Sequence, residues 1–414
     1  VTRQALPTDA RGTLGASCEY MKALTLFLVM ASHGAHIPSP HPTPAVIDRG
    51  EAKYFHGRKQ ILADFDCLLE HYNNNASGGT FLIQGAPGAG KTALLSECVS
   101  HAEAAGWRIG VIDDLFPLWR PSALRSAQYN GESLVEGGLV IDQAAGSVLE
   151  MLRGGVGPLL LKLDEAQRLE DLSRDLDIKL SVGAVLTAIH NGKVGRPLVL
   201  LAGGLGTTAE IFKSLSISRF ERRSFVELEG LDTDAERAVI RDWLTEDGRA
   251  KGDPTAWIDA IMQKTYGWPQ HILSYVGPAV EYLHTHGGVM NKDGLSIVLD
   301  AGGNFRTKYY ERRAGGLAVE ERYCLARIFE DIPQARGSTR KTILSELASE
   351  YGVDAAEKLF RRALHSGLLQ MTASGHYAIP IPSMQDWLVG NYAHLNVGKP
   401  PMGFTGQRSK NLGR

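Results

Sequence analysis

The chain has 414 residues, 43% of them hydrophobic and 22% charged, with a formal net charge of −2. These are globular values, and they exclude a chain that holds nucleic acid by its overall charge; any such contact must come from a local basic face. The length exceeds one ordinary core, so two or three domains are expected. Cys18, Cys67, Cys98 and Cys324 lie far apart with no C-x-x-C spacing, which suggests neither a zinc site nor a disulfide framework and fits a reducing cytoplasm.

In chain order, Met21-Lys22 precedes an apolar run at residues 23–31 that has the character of a secretory h-region. The run is too short to span a membrane. The expectation is a helix packed on the core, or a stretch translated ahead of a start at Met21, with secretion as the remaining reading. Pro38, Pro40, Pro42 and Pro44 make residues 36–50 a stiff lead-in, so residues 1–50 form an extension. A helix follows with Ile61, Leu62, Phe65, Leu68 and Leu69 on one face, then a turn through residues 73–79.

Residues 80–84 form a short apolar run, read as a buried strand. Residues 85–92 then read Gly-Ala-Pro-Gly-Ala-Gly-Lys-Thr, fitting the phosphate-loop pattern G-x-x-x-x-G-K-[ST]. Gly85, Gly88 and Gly90 let the backbone curl its N–H groups towards phosphate oxygens, with Pro87, Ala89 and Ala93 completing the cradle. Lys91 brings a point charge to the β- and γ-phosphates, and Thr92 offers a hydroxyl to Mg²⁺. Residues 91–105 are helical, with Leu94, Leu95, Cys98, Val99 and Ala102 on one face and Gly106 as the stop.

Residues 158–163 are a second buried-strand candidate, ending in Asp164-Glu165-Ala166-Gln167. Asp164 at that tip suits the Mg²⁺ hydration shell, and Glu165 the orientation or deprotonation of an attacking water. The bland alternative is acid favoured at the start of the next helix. Further strands are expected at 108–112, 198–202 and 225–228 with helices between them. Five strands alternating with helices indicate an α/β fold with a parallel sheet, and this phosphate-loop core spans 51–230. The stretch 113–157 is too long for a simple crossover and is expected to hold an insertion.

After Asp232 the strand signal stops. Helical patterns at 234–244, 256–266 and 270–283 make an all-helical unit, 231–316. Helices at 319–329, 340–351 and 355–365 followed by a hairpin at 368–379 read as a winged helix-turn-helix, 317–396. Its third helix carries Lys358, Arg361, Arg362 and His365 on one face. That face suits DNA, while a protein-docking or autoinhibitory role for the same unit stays open. The tail, 397–414, is basic and read as disordered.

On these motifs and their order, the chain resembles AAA+ and closely related STAND-type P-loop ATPases over about residues 51–395. The resemblance implies binding and hydrolysis of ATP with Mg²⁺ in the cytoplasm. Phe55-His56-Gly57-Arg58 is similar to the box that packs near the adenine, which assigns Phe55 and Arg58 to the nucleotide. The 231–316 unit corresponds to the lid, and a terminal winged helix is typical of the origin-recognition-like branch. Ser218-Arg219-Phe220 resembles the box bearing an arginine finger, which usually acts in trans; beside Arg222 and Arg223, Arg219 also reads as part of a solvated cluster.

The sequence departs from the family pattern at two places. The tip of the sensor-1 strand reads Gly203-Gly204, leaving Thr207 or Thr208 as a substitute. The sensor-2 place reads Gly267-Trp268-Pro269-Gln270-His271, closer to the G-x-P signature of STAND switches. Pro269 suits a first helical turn, from which Gln270 or His271 reaches a phosphate or is an ordinary first-turn residue. The resemblance implies an ATPase whose nucleotide state gates a DNA or DNA-associated protein interaction. The alternative is a signalling switch whose winged helix never binds DNA. Expected partners are ATP, DNA, and a partner protein or further copies of the chain; no membrane is expected.

Overall fold

The structure is a computed structural model that describes residues 52–111, 135–136, 139–140, 143–172, 176–217, 219–221, 223–332, 337–372 and 375–395. The apolar run 23–31, the proline-rich lead-in, Ser218, Arg222, the basic tail and most of the expected insertion lie outside them.

The core begins with α1 (Lys59–Asn74), which leads into β1 (Gly78–Gly85), α2 (Lys91–Ala104) and β2 (Arg108–Val111). A hairpin of β3 (Val135–Glu136) and β4 (Leu139–Val140), then α3 (Gln143–Arg153), lies within the long segment before β5 (Leu159–Leu163). The core continues with α4 (Leu169–Leu172), α5 (Leu176–His190), β6 (Leu198–Gly204), α6 (Thr208–Ser214) and β7 (Phe225–Leu228). Five strands form a parallel sheet in the order β2-β5-β6-β1-β7. The central strands β1 and β6 are buried along their whole length, because helices cover both faces. One face packs Leu94, Leu95 and Cys98 of α2 with Phe65 and Leu69 of α1; the other packs Val182, Val185, Leu186 and Ile189 of α5.

The register fixes where a ligand can sit. Leu163 pairs with Ala202, and Ala202 with Leu82. The loop after β1, the acids after β5 and the glycines of β6 therefore meet at one end of the sheet, the carboxyl ends of its strands. Open α/β sheets bind ligands at that end.

Four helices follow: α7 (Thr233–Thr245), α8 (Thr255–Thr265), α9 (Pro269–Thr285) and α10 (Lys292–Ala314). The 23-residue α10 is longer than anything the sequence pattern suggested for that stretch. Two of its glycines are places of close approach. A Cβ on Gly302 would lie 2.2 Å from Tyr275 of α9, and one on Gly294 2.4 Å from Tyr282. The chain ends in α11 (Val319–Glu330), α12 (Arg340–Tyr351), α13 (Val353–His365), a hairpin of β8 (Gln370–Met371) and β9 (Tyr377–Ala378), and α14 (Pro382–Tyr392). The fold is thus an α/β P-loop core followed by a helical C-terminal region. One hydrophobic cluster runs from α1 and β1 through Trp268, Tyr309 and Tyr310 into the 317–395 unit. Among the described residues no helix is long and apolar enough to cross a membrane.

Candidate functional site

The loop between β1 and α2 is shaped by its glycines. Gly88 and Gly90 take φ of 78° and 91°, a region that other residues enter at a cost. Gly85 serves closeness instead: a Cβ there would stand 2.8 Å from the Leu228 carbonyl. Lys91 opens α2 and folds back inside the loop. Its Nζ donates to the carbonyls of Gly85 at 3.0 Å and Ala86 at 2.9 Å, with the side chain 9% exposed. Burial, only partly offset by Asp164 and Glu165 and reinforced by Arg313, lowers its pKa from 10.5 to about 8. Lys91 is thus a buried cation ready for an anion. Thr92 follows it in the first turn of α2 and Asp164 follows β5, giving two oxygen donors of the kind Mg²⁺ takes.

Glu165 adopts φ 53°, uncommon for a non-glycine residue. Such an outlier points towards a functional constraint. The turn is pinned by the Asp164 carboxylate, which accepts from the Glu165 N–H at 2.8 Å. Gln167, to which the sequence reading assigned no role, donates its amide N–H to the Glu165 carboxylate and accepts from the Leu205 N–H at 3.2 Å. It links the acid to the tip of β6. The two glycines there now have a reason. A Cβ on Gly203 would meet Leu95 at 2.6 Å, and one on Gly204 would meet Thr208 Oγ1 at 2.2 Å and Gln167 at 3.0 Å. Of the two threonines, Thr208 is fully buried and donates to the Leu205 carbonyl at 2.6 Å. Thr207 instead lines a cavity of about 100 Å³ together with Gln167 and Leu205.

The helical unit reaches the loop through three hydrogen bonds. Trp268 Nε1 and the Tyr309 hydroxyl both donate to the Pro87 carbonyl, at 3.3 and 2.9 Å, and the Gln270 N–H donates to the Gly88 carbonyl at 3.2 Å. Pro269 stands against Gly90, 3.4 Å from where its Cβ would be. The Gly267-Trp268-Pro269 turn is held by the buried carboxylate of Glu236 on α7, which accepts from the Gly267 N–H at 2.7 Å and from the Thr265 hydroxyl. Burial raises the pKa of that carboxylate despite both hydrogen bonds.

His271 departs from the expectation that it reaches a phosphate. Its ring is 0% exposed, inside the helical unit, within 3.1 Å of the Tyr310 hydroxyl. Burial, with the charge of Arg306, lowers its pKa to about 3. The physical reason is helical phase: Gln270 faces the loop, and the next residue turns into the core between α9 and α10.

Ahead of α1, Phe55 packs on the main cluster, and Arg58 (φ 61°) donates to the Glu229 carbonyl. His56 bonds Asp242 of α7 at 2.5 Å, so this segment spans the junction of the core and the helical unit. Arg219 lies elsewhere. It is exposed, and its backbone contacts His190, whose ring bonds Thr80 near the start of β1. Thr80 is five residues before Gly85, roughly 17 Å along the strand. Arg219 is therefore remote from the phosphate loop of its own chain.

The 317–395 unit also touches the loop. A Cβ on Gly367, just past α13, would lie 2.5 Å from Pro87 Cγ, and one on Gly206 would lie 2.3 Å from Gln370 Cγ. His365 pairs with Glu170 of α4 at 2.8 Å. The expected DNA-facing residues are exposed, and besides His365 two more have acidic neighbours: Arg361 with Glu357 at 3.0 Å, and Arg362 with Glu321.

No protein-family model and no curated protein matches the sequence. Among solved structures the chain is similar to the ADP form of the Aeropyrum pernix ORC2 protein, with 13% identity over 84% of this chain and 97% of that one, TM-score 0.49. It is similar to the Drosophila ORC bound to DNA, with 13% identity over 90% and 99% and TM-score 0.43. It is similar to domain III of the Thermotoga maritima replication initiation protein DnaA, with 14% identity over 60% and 93% and TM-score 0.40. At these values the functional reading rests on the chain's own geometry.

Proposed function

We propose that the protein is an AAA+-like ATPase that uses Mg²⁺ and whose nucleotide state governs the seating of its C-terminal unit. The observation that carries this is the position of Pro87. It lies in the phosphate loop, both Trp268 and Tyr309 bond its carbonyl, and Gly367 abuts its ring. A phosphate drawn into the loop bears on both partners at once.

In this reading the loop N–H groups of Gly88–Ala93 and the Lys91 ammonium grip the phosphates. Thr92 and Asp164 would hold Mg²⁺, and the ion would supply charge to neutralise that developing on the phosphates. Glu165, fixed by Gln167, orients the attacking water. Phe55 and Arg58 flank the base, with Pro269 closing the lid side. Arg219 acts as a finger only in trans, within an assembly of copies. The C-terminal unit, read as a winged helix, serves as a cover for the site. A second reading, contact with DNA through Lys358, Arg361 and Arg362, is supported by their exposure on one helix.

Titration calorimetry with ATP tests the proposal. Lys91→Ala should lose measurable binding, whereas Glu165→Gln should bind ATP as the parent does and lose roughly 10²–10⁴ in turnover. Unchanged affinity in Lys91→Ala would overturn the assignment.

A further inference from the structure

Glu236 of α7 is 5% exposed, and among the described residues no other carboxylate is as buried. Its neighbour Arg237 pairs instead with Asp259 of α8, at 2.7 Å. A buried charge is costly unless hydrogen bonds hold it, and two hold this one. The Gly267 N–H at 2.7 Å and the Thr265 hydroxyl both donate to the same oxygen, Oε1. The turn they come from is an awkward one. Tyr266 takes φ 51°, and Gly267 takes φ 72° where a Cβ would lie 2.3 Å from the Leu231 carbonyl. The Leu231 N–H donates to the Gly267 carbonyl at 2.7 Å. Leu231 lies in the short link from β7 to α7, so Leu231 and Glu236 together fasten the turn to the place where the chain leaves the core sheet. From that turn Trp268 Nε1 reaches the Pro87 carbonyl and the Gln270 N–H reaches the Gly88 carbonyl. In a planar trans peptide the N–H points away from the C=O. Holding the Pro87 carbonyl towards the helical unit therefore turns the Gly88 N–H the opposite way.

We propose that Glu236 is a positioning residue for the nucleotide: through the 265–270 turn it sets the Pro87–Gly88 peptide, so that the loop presents its amide to phosphate before the ligand arrives. This rests on the ATPase reading above. It gives the helical unit a part in gripping the phosphates that ATP and ADP share. Because both bonds end on one oxygen, the role needs an acceptor of the right length and not a charge, and a glutamine supplies the same acceptor.

The test measures ATP and ADP affinities by calorimetry, in Mg²⁺, for the full chain and its variants, with urea unfolding alongside. Unfolded molecules lower the stoichiometry and not the affinity, so the two effects separate. Glu236→Leu should weaken ATP and ADP alike, by about 10-fold, the size of one or two lost hydrogen bonds. Glu236→Gln should restore most of that affinity. Trp268→Phe, which removes the indole N–H, should cost a similar factor, and the double variant with Glu236→Leu should lose less than the product of the two single losses, because both act through one turn. If Glu236→Leu does not fold, Glu236→Asp, which keeps the charge on a side chain one methylene shorter, takes its place and should show the same loss. Parental affinity in the folded variant with only its urea midpoint lowered, losses that multiply, or no rescue by Gln would each overturn the proposal and leave the ATPase reading intact. A parent chain that binds neither nucleotide would overturn both.

Discussion

Lys91 carries a penalty that its ligand removes. In the free protein its ammonium is buried and bonded only to carbonyls of its own loop, and its pKa falls to about 8. The sign for stability follows: the folded state sheds this proton before the unfolded state does, so this group's contribution to stability rises with pH from about 8 to 10.5. Bound polyphosphate favours the ammonium and raises its pKa again, so the complex holds more protons than the free protein above pH 8. ATP binding at pH 8.5–9 should therefore take up a fraction of a proton, and affinity should fall as pH rises through that window. Calorimetry in two buffers of different ionisation enthalpy reads the uptake directly. A zero uptake, with affinity flat from pH 7 to 9, would mean that Lys91 is already fully charged in the free protein. The motif glycines, Lys91, Thr92, Asp164 and Glu165 were legible because each residue type has a local job at a fixed spacing. Gln167, Tyr309 and Glu236 were not, because their roles depend on elements brought together from distant parts of the chain.

At the scale of elements, the strands were legible because a sheet covered on both faces writes itself as short apolar runs. Two long helices were missed. In α10 glycines stand where Tyr275 and Tyr282 come close, and α14 follows a hairpin closely and starts on Pro382. The reading of His271 failed for a related reason: a first-turn position says nothing about which way the helix is rolled. Its burial has a measurable consequence. With a folded pKa of about 3 against an ordinary 6.5, the unfolded state binds a proton that the folded state refuses. The contribution of this group is intact above pH 6.5 and is lost as pH falls towards 3. His271→Phe keeps a ring among Trp268, Tyr309 and Tyr310, and Tyr310 retains its 2.7 Å bond to Ser383. Urea unfolding from pH 7 to 4 should show the parent losing up to about 1.4 kcal/mol per pH unit more than the variant. Parallel curves would show that the histidine protonates in place and that the helical unit tolerates it.

At the scale of the molecule, the question is what the C-terminal unit does while seated on the core. Its basic helix, α13, offers weak guidance, since exposed ion pairs such as Arg361–Glu357 contribute about 0–1 kcal/mol and yield readily to a phosphate. The contacts with the core are more informative. Gly367 against Pro87, Gln370 against Gly206 and His365 against Glu170 place the unit beside the phosphate loop and the tip of β6. Gly206 offers a way to pry the two apart without touching a nucleotide residue. Its φ lies outside the positive region, so a side chain is tolerated locally, but a Cβ there would come within 2.3 Å of Gln370. Gly206→Val should therefore unseat the unit while leaving the loop, Lys91 and Glu165 in place. If the unit is a cover, release of a fluorescent ADP analogue should speed up several-fold in the variant, and protease should cut sooner near the link after α10. The partner measurement is DNA affinity at low salt. An autoinhibitory cover that hides a DNA surface predicts tighter binding in Gly206→Val, and a log–log salt slope that falls by about one for each of Arg361 and Arg362 replaced by Ala. A cover that docks protein predicts faster release and no DNA binding in either form. Release at the parental rate, with the unit shown to be displaced, would retire the cover and leave the seating of Gly367 on Pro87 as packing alone.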